Sequence, residues 1–215
     1  MTNSNKNVLK AASITVLLSV LVIGWRLFFV SDAKEVLKAD STMEVVDLGS
    51  LDGSWVIQAG QAGYRVDEVL FGRNVTATGR TQGVSGSFVV DGMSINGKVF
   101  VDLADITSDS SKRDGQFRGR IMDVARYPQA TVGFKGMAED LGNGRYTTQA
   151  ILTLKDVSKP VDVGFTVVRS PNGIEVVGSA PFLISQWPID SPSIPGISVE
   201  DDALLEFQAT FILSK

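Results

Sequence analysis

From Leu51 onward, apolar residues recur at every second position of the chain. Val161, Val163, Phe165 and Val167 alternate with Asp162, Gly164 and Thr166, and Leu205, Phe207, Ala209, Phe211 and Leu213 alternate with Glu206, Gln208, Thr210 and Ile212. Tyr146, Ala150, Leu152 and Leu154 share a face opposed by Thr147, Gln149, Thr153 and Lys155. A period of two puts successive side chains on opposite faces of a strand, so each segment predicts a strand with one apolar and one wetter face. Further strands are predicted over Trp55–Gln58, Tyr64–Phe71, Thr76–Thr81, Gly83–Val90, Ser94–Ile106, Thr131–Met137, Ile174–Ser179 and Phe182–Trp187. Turn signals separate them at Asp91-Gly92, Asn96-Gly97, Gly142-Asn143-Gly144 and Pro171-Asn172-Gly173. Roughly eight to eleven short strands joined by tight turns predict an all-β antiparallel barrel or sandwich. No βαβ alternation appears, which argues against a parallel nucleotide-binding sheet.

The first thirty residues follow another pattern. Ala11 to Trp25 contains no charged residue, and after Arg26 the apolar run resumes through Leu27, Phe28, Phe29 and Val30. Twenty helical residues span about 30 Å, the thickness of a bilayer core, so residues 11–30 predict a transmembrane helix. Arg26 lies near its far end, where a long side chain can snorkel to the headgroups beside Trp25. Lys6 and Lys10 precede the span, whereas Asp32, Lys34 and Glu35 follow it. The positive-inside rule then keeps residues 1–10 cytoplasmic and exports the rest. A cleaved secretory signal is the competing reading, because Ser31-Asp32-Ala33 offers small residues where a signal peptidase inspects them, and cleavage after Ala33 would secrete the domain. The length of the apolar run and the position of Arg26 favour the retained anchor. Residues 31–51 read as a linker with a short helix over Ala33–Ala39, and residues 52–215 as one barrel domain.

Composition narrows the function. The 215 residues include no His and no Cys. This removes Ser-His-Asp and Cys-His catalysis, thiolate and histidine metal sites, and disulfides. Two acidic groupings, Glu200-Asp201-Asp202 and Asp102/Asp105/Asp109, lack the spacing of a calcium loop. No enzyme activity, metal, cofactor or nucleic-acid partner is therefore expected. The chain carries 20 Lys+Arg and 24 Asp+Glu for a net charge of −4. Residues 1–30 hold Lys6, Lys10 and Arg26 without an acid, which leaves −7 for the remainder.

One stretch of that acidic remainder is basic and breaks the strand pattern. Ser108 to Ser111 offers helix N-cap residues, and residues 112–128 contain five basic and two acidic side chains, interrupted by Gly115 and Gly119 and stopped by Pro128. One or two helical turns are predicted here. Arg113, Arg118 and Arg120 are candidates for contact with an anionic headgroup or a quinone oxygen, with Asp114 orienting Arg113. The alternatives are a solvated helix face and an Arg113-Asp114 pair that caps the helix and ties it to a strand end. Glu68 and Arg80 occupy strand positions suited to a cross-strand ion pair, and Trp187-Pro188 is placed to plug or rim one end of a barrel.

The order of several short motifs resembles the YceI-like lipid-binding family. It runs from Tyr64-Arg65-Val66-Asp67-Glu68 through Val84-Ser85-Gly86, Ser108-Asp109 with Lys112-Arg113-Asp114, and Tyr127-Pro128-Gln129-Ala130-Thr131. It continues with Leu152 to Val161, Ser185-Gln186-Trp187-Pro188-Ile189 before Pro192, and the closing apolar segment Leu204 to Leu213. Membrane-anchored members of this kind resemble those of actinobacterial cell envelopes. The resemblance implies an extended, eight-stranded, lipocalin-type antiparallel barrel whose long apolar pore holds a polyisoprenoid, quinone or similar lipophile. Many members carry a His beside the first strand and another before the Lys-Pro step, where this chain has Gln61 to Gly63 and Asp156.

The inward face of such a barrel is expected to include Phe88 and Val90 of one strand, Phe134 of another, and Leu152 and Leu154. Phe165, Val167, Phe182, Ile184, Phe207 and Phe211 complete it. These residues would fill a core equally well, and only an open pore separates a carrier from a filled barrel. The expectation is a membrane-tethered extracytoplasmic protein that binds a lipophile for carriage or sequestration. The alternative is a structural or interaction module of the envelope with no small ligand.

Overall fold

The computed structural model describes residues 37–40, 42–191 and 195–214. The predicted cytoplasmic segment and transmembrane helix lie outside these residues. So does most of the helix predicted over Ala33–Ala39, whose described part, Leu37 to Ala39, is not helical. Among the described residues no helix is long and apolar enough to cross a membrane.

Ten strands follow in order: β1 (Gly53–Leu70), β2 (Arg73–Thr81), β3 (Val84–Asp91), β4 (Ser94–Asp102), β5 (Gln129–Met137), β6 (Glu139–Asp140), β7 (Arg145–Leu154), β8 (Val157–Ser170), β9 (Gly173–Leu183) and β10 (Ile197–Leu213). Between β4 and β5, α1 (Ser111–Gln116) runs into a π-turn, Phe117–Ile121. A 3-10 turn, Ile184–Gln186, follows β9. The path β10-β9-β8-β7-β5-β4-β3-β1 closes through a long antiparallel β1–β10 ladder, giving an eight-stranded barrel. β2 extends the β3 position along the second half of β1, and β6 extends β5 along β7. Closure leaves no free edge along the eight-strand path, while β2 and β6 each pair with one strand only.

Several predicted boundaries differ from the structure: the strand predicted over Ser94–Ile106 ends at Asp102, and those predicted over Ile174–Ser179 and Phe182–Trp187 form the single strand β9. The segments around Trp55 and Tyr64 form one 18-residue strand, bent by register shifts against β10 between Ile57 and Ala59 and between Val66 and Glu68. The small residues between them serve close packing: a Cβ on Gly63 would stand 2.1 Å from the Gly79 carbonyl oxygen of β2. Asn96-Gly97 is no turn but the middle of β4, where a Cβ on Gly97 would meet Phe88 Cα at 2.5 Å. A strand glycine here marks close approach of backbone rather than reversal. The last predicted inner strand ends at Leu183, and the chain from Ile184 turns instead.

The second half of the predicted linker is part of the barrel. Val45 bridges Val168, the Val46 N–H donates to the Val167 carbonyl at 3.0 Å, and the Leu48 N–H donates to the Tyr146 hydroxyl at 3.0 Å. Val46, Leu48, Leu51 and Trp55 are buried there, and the Trp55 indole N–H donates to the Leu51 carbonyl at 2.8 Å. Each such side chain contributes roughly 1.5–3 kcal/mol by leaving water. They seal the barrel at the end where β1 starts and β10 finishes. Leu213, predicted to share the inner face of β10, lies beyond this seal and is 55% exposed. On the barrel wall, Glu206 of β10 accepts from Arg65 of β1 at 3.4 Å and Arg80 of β2 at 3.2 Å, bracing three strands.

Candidate functional site

The barrel interior is an elongated cavity rather than a filled core. Alternation along β5, β7, β8 and β10 aims Phe134, Leu152, Leu154, Phe165, Val167, Phe207 and Phe211 inward, and all of them line it. Phe88, Phe182 and Ile184 line it as well. Phe88 and Phe211 meet with ring centroids 4.5 Å apart. Val90 does not reach the cavity: it pairs with Gly53 at the sealed end, where its side chain is buried in the plug. Leu103 and Ile106, inside the strand predicted over Ser94–Ile106 but beyond the end of β4 at Asp102, line it as well. So do Phe117, Ile121 and Met122 from the helical insert, whose irregular spacing no strand pattern marks.

The cavity volume is about 230 Å³, in a measure in which a single water needs roughly 10–15 Å³. Its walls run along β1 from Ile57 to Glu68. At about 3.3 Å per residue and a tilt near 40°, that stretch covers roughly 28 Å of the barrel axis. Spread evenly over this length, the volume corresponds to a bore about 6 Å wide. Such a width suits an extended hydrocarbon chain.

One end is polar. Tyr64 and Glu68 of β1, Arg113 of α1 and Ser191 line it, and Ser191 is exposed, so the cavity reaches the surface here. The Arg113 guanidinium lies 3.6 Å from a Glu68 carboxylate oxygen and is also paired with Asp109. Ser110 caps α1 by accepting from the Arg113 N–H at 3.4 Å, which fixes the start of the helix below the guanidinium. Asp114 does not orient Arg113. It is buried and accepts from the Ser108 N–H at 2.8 Å and the Ser108 hydroxyl at 2.5 Å, folding the loop before the helix.

Tyr64 stacks on Phe117 with centroids 5.2 Å apart and planes 8° from parallel. Burial pushes its hydroxyl up to about 12, against the opposing pull of Arg113. Burial also pushes the Glu68 carboxyl up, again opposed by Arg113. Both shifts follow from loss of water around an ionising group.

The remaining candidates sit elsewhere. Arg118 donates to the Ile106 carbonyl at 3.0 Å and props the insert, while Arg120 is exposed; neither lines the cavity. Glu68 pairs with Arg113 rather than with Arg80, whose partner is Glu206. Trp187 donates to the Val157 carbonyl at 2.8 Å and packs edge-on behind Phe182, outside the lining. Asp201 accepts from the Ser185 N–H and hydroxyl, which holds its carboxyl below the usual range and anchors the turn after β9. Among the described residues no cluster of three or more acidic side chains is placed to hold a metal ion.

The chain is thus a closed eight-stranded antiparallel barrel around a narrow apolar cavity with polar side chains at one end. Its strand order and insert fit a more particular group: the model of the YceI-like domain matches residues 55–211, and the chain belongs to that family. Among solved structures, BcnA of Burkholderia cenocepacia is 20% identical with a TM-score of 0.56, the match covering 68% of this chain and 94% of that one. A polyisoprenoid binding domain from Saccharophagus degradans, implicated in plant cell wall breakdown, is 17% identical with a TM-score of 0.57, covering 74% and 98%. At these identities the likeness is one of fold. No curated protein matches the chain.

Proposed function

We propose that the protein is a membrane-tethered, extracytoplasmic carrier or sequestering protein that holds one long-chain isoprenoid, quinone or similar slender lipophile in the barrel. The observation that carries this reading is the narrow apolar bore, sealed by Leu48, Leu51 and Trp55 at one end and reaching the surface beside Glu68 and Arg113 at the other. A filled-barrel module has no use for such a channel. The lipophile reading is supported by membership of a family of binding proteins and by the polyisoprenoid binding of the Saccharophagus domain. The tether rests on the apolar run at residues 11–30 and its flanking charges.

Binding needs no catalytic group. Fifteen buried methylenes at about 0.8 kcal/mol each supply roughly 12 kcal/mol, which leaves micromolar affinity after about 4 kcal/mol of association cost. Titration of the full-length protein with geranylgeraniol, followed by Trp and Tyr fluorescence, tests the reading. Saturable one-to-one binding supports it, and no change up to the solubility limit rejects it. Intact-mass measurement of the membrane fraction tests the tether: a chain beginning at Lys34 contradicts it.

A further inference from the structure

The polar rim carries a specific balance of charge. Among the described residues Arg113 is the only cation lining the cavity, and that cation is already shared between two carboxylates, Glu68 at 3.6 Å and Asp109. The three groups sum to −1, and the buried Asp114 adds a further carboxylate one residue along the same helix. Tyr64 differs from all of them. Its hydroxyl lies in the lining, makes no hydrogen bond among the described residues, and stays protonated at neutral pH. Among the described residues the rim therefore offers neutral hydroxyl donors, Tyr64 and Ser191, and no spare positive charge.

We propose that the rim selects lipophiles whose head is uncharged and can accept a hydrogen bond, such as an alcohol, ketone or amide, and excludes phosphate and diphosphate heads, with Glu68 as the residue that sets this preference. The inference rests on the lipophile reading of the bore. A tail that enters the channel must leave its head at the rim, because beyond it the only polar side chain among the described lining residues is Glu206, already held by Arg65 and Arg80. A diphosphate there would meet a guanidinium whose charge is already offset by Glu68 and Asp109, with only its remaining N–H groups to offer. Two carboxylates would also face the anion in a partly dehydrated site, where like charges repel strongly. An uncharged oxygen meets Tyr64 without disturbing the Arg113 pairs. Asp109 pairs with Arg113 from within the insert, and Glu68 pairs with it from β1, in the lining where the head would rest.

The test compares heads on one tail. Full-length protein, stripped of lipid and held in amphipol, is titrated with farnesol, farnesyl diphosphate and the headless hydrocarbon farnesene. Farnesol is expected to bind at least ten-fold tighter than the diphosphate and several-fold tighter than farnesene. Glu68→Gln is expected to narrow the gap between alcohol and diphosphate at least five-fold, and Tyr64→Phe to bring farnesol down toward farnesene. Asp109→Asn, which removes the other counter-charge, is the independent variant and should narrow the gap in the same direction. Diphosphate binding as tight as the alcohol in the unaltered protein overturns the proposal, as does an unchanged gap in both charge variants that unfold normally. Failure of all three ligands to bind overturns the lipophile reading itself, a different result from equal binding of all three, which leaves the carrier standing and removes only the selectivity.

Discussion

At the end of the barrel where β1 begins, Leu48, Leu51 and Trp55 fill the bore, and the polar groups among them are matched, Trp55 to the Leu51 carbonyl and Tyr146 to the Leu48 N–H. At the other end Tyr64, Glu68 and Arg113 face the same bore and leave it continuous with the surface at Ser191. The same alternation of strands builds both ends, so the difference lies in what is laid across them. A segment preceding the first strand closes one. A short charged helix and the turn after β9 frame the other. The closed end is expected to carry more of the stability, and under the proposal above the open end carries the discrimination.

The sharpest way to break this contrast is to cut the plug. Trp55→Ala is expected to cost about 3–5 kcal/mol in urea unfolding, since it leaves a cavity and removes the partner of the Leu51 carbonyl. Tyr64→Phe at the open end should cost less than about 1 kcal/mol, because no hydrogen bond is lost. Equal costs would contradict the division between the ends. Next in size is Ala180→Trp, which sets an indole in a bore about 6 Å wide. Uptake of an apolar fluorophore should fall at least ten-fold, while overpacking costs about 1–3 kcal/mol. Normal uptake by the folded variant would mean that the channel is not the route.

Two titrations sharpen the open end. Tyr64 should resist ionisation until pH about 12, seen as the most alkaline step in phenolate absorbance and absent from Tyr64→Phe. Because the folded state holds that proton more tightly than the unfolded chain, stability should fall as pH rises from about 10 to about 12. Glu68 gives the smallest effect. Its carboxyl is raised above the usual 4.5, so the folded state retains a proton the unfolded state releases. Stability therefore falls as pH rises from 4.5 through the raised value, and Glu68→Gln should flatten that slope.

Period-two patterning made most of the barrel wall legible. Residues on β7 and β8 such as Leu152, Leu154, Phe165 and Val167 have only two faces to choose from, so alternation fixes which one is inward. It was silent where geometry departs from the ladder. Val90 shares the inward face of Phe88 but falls past the end of the channel, a distance along the axis that alternation does not measure. The plug at Val46, Leu48 and Leu51 lacks strand periodicity and therefore resembled a linker. The rim was half legible: Arg113 stood out by charge, whereas its true partners, Glu68 and Asp109, come from different elements, and adjacency pointed instead to Asp114. The transmembrane expectation for residues 11–30 rests on length and hydropathy alone and lies outside the described residues.

The most direct measurement is native mass spectrometry of the full-length protein purified from its own cells without added lipid, before and after organic extraction. A bore that serves as a binding channel predicts one apolar molecule per chain, released by extraction, absent from Ala180→Trp, and carrying no phosphate. A chain that is always empty, and that stays empty when offered geranylgeraniol, would contradict the carrier and leave the barrel a structural module.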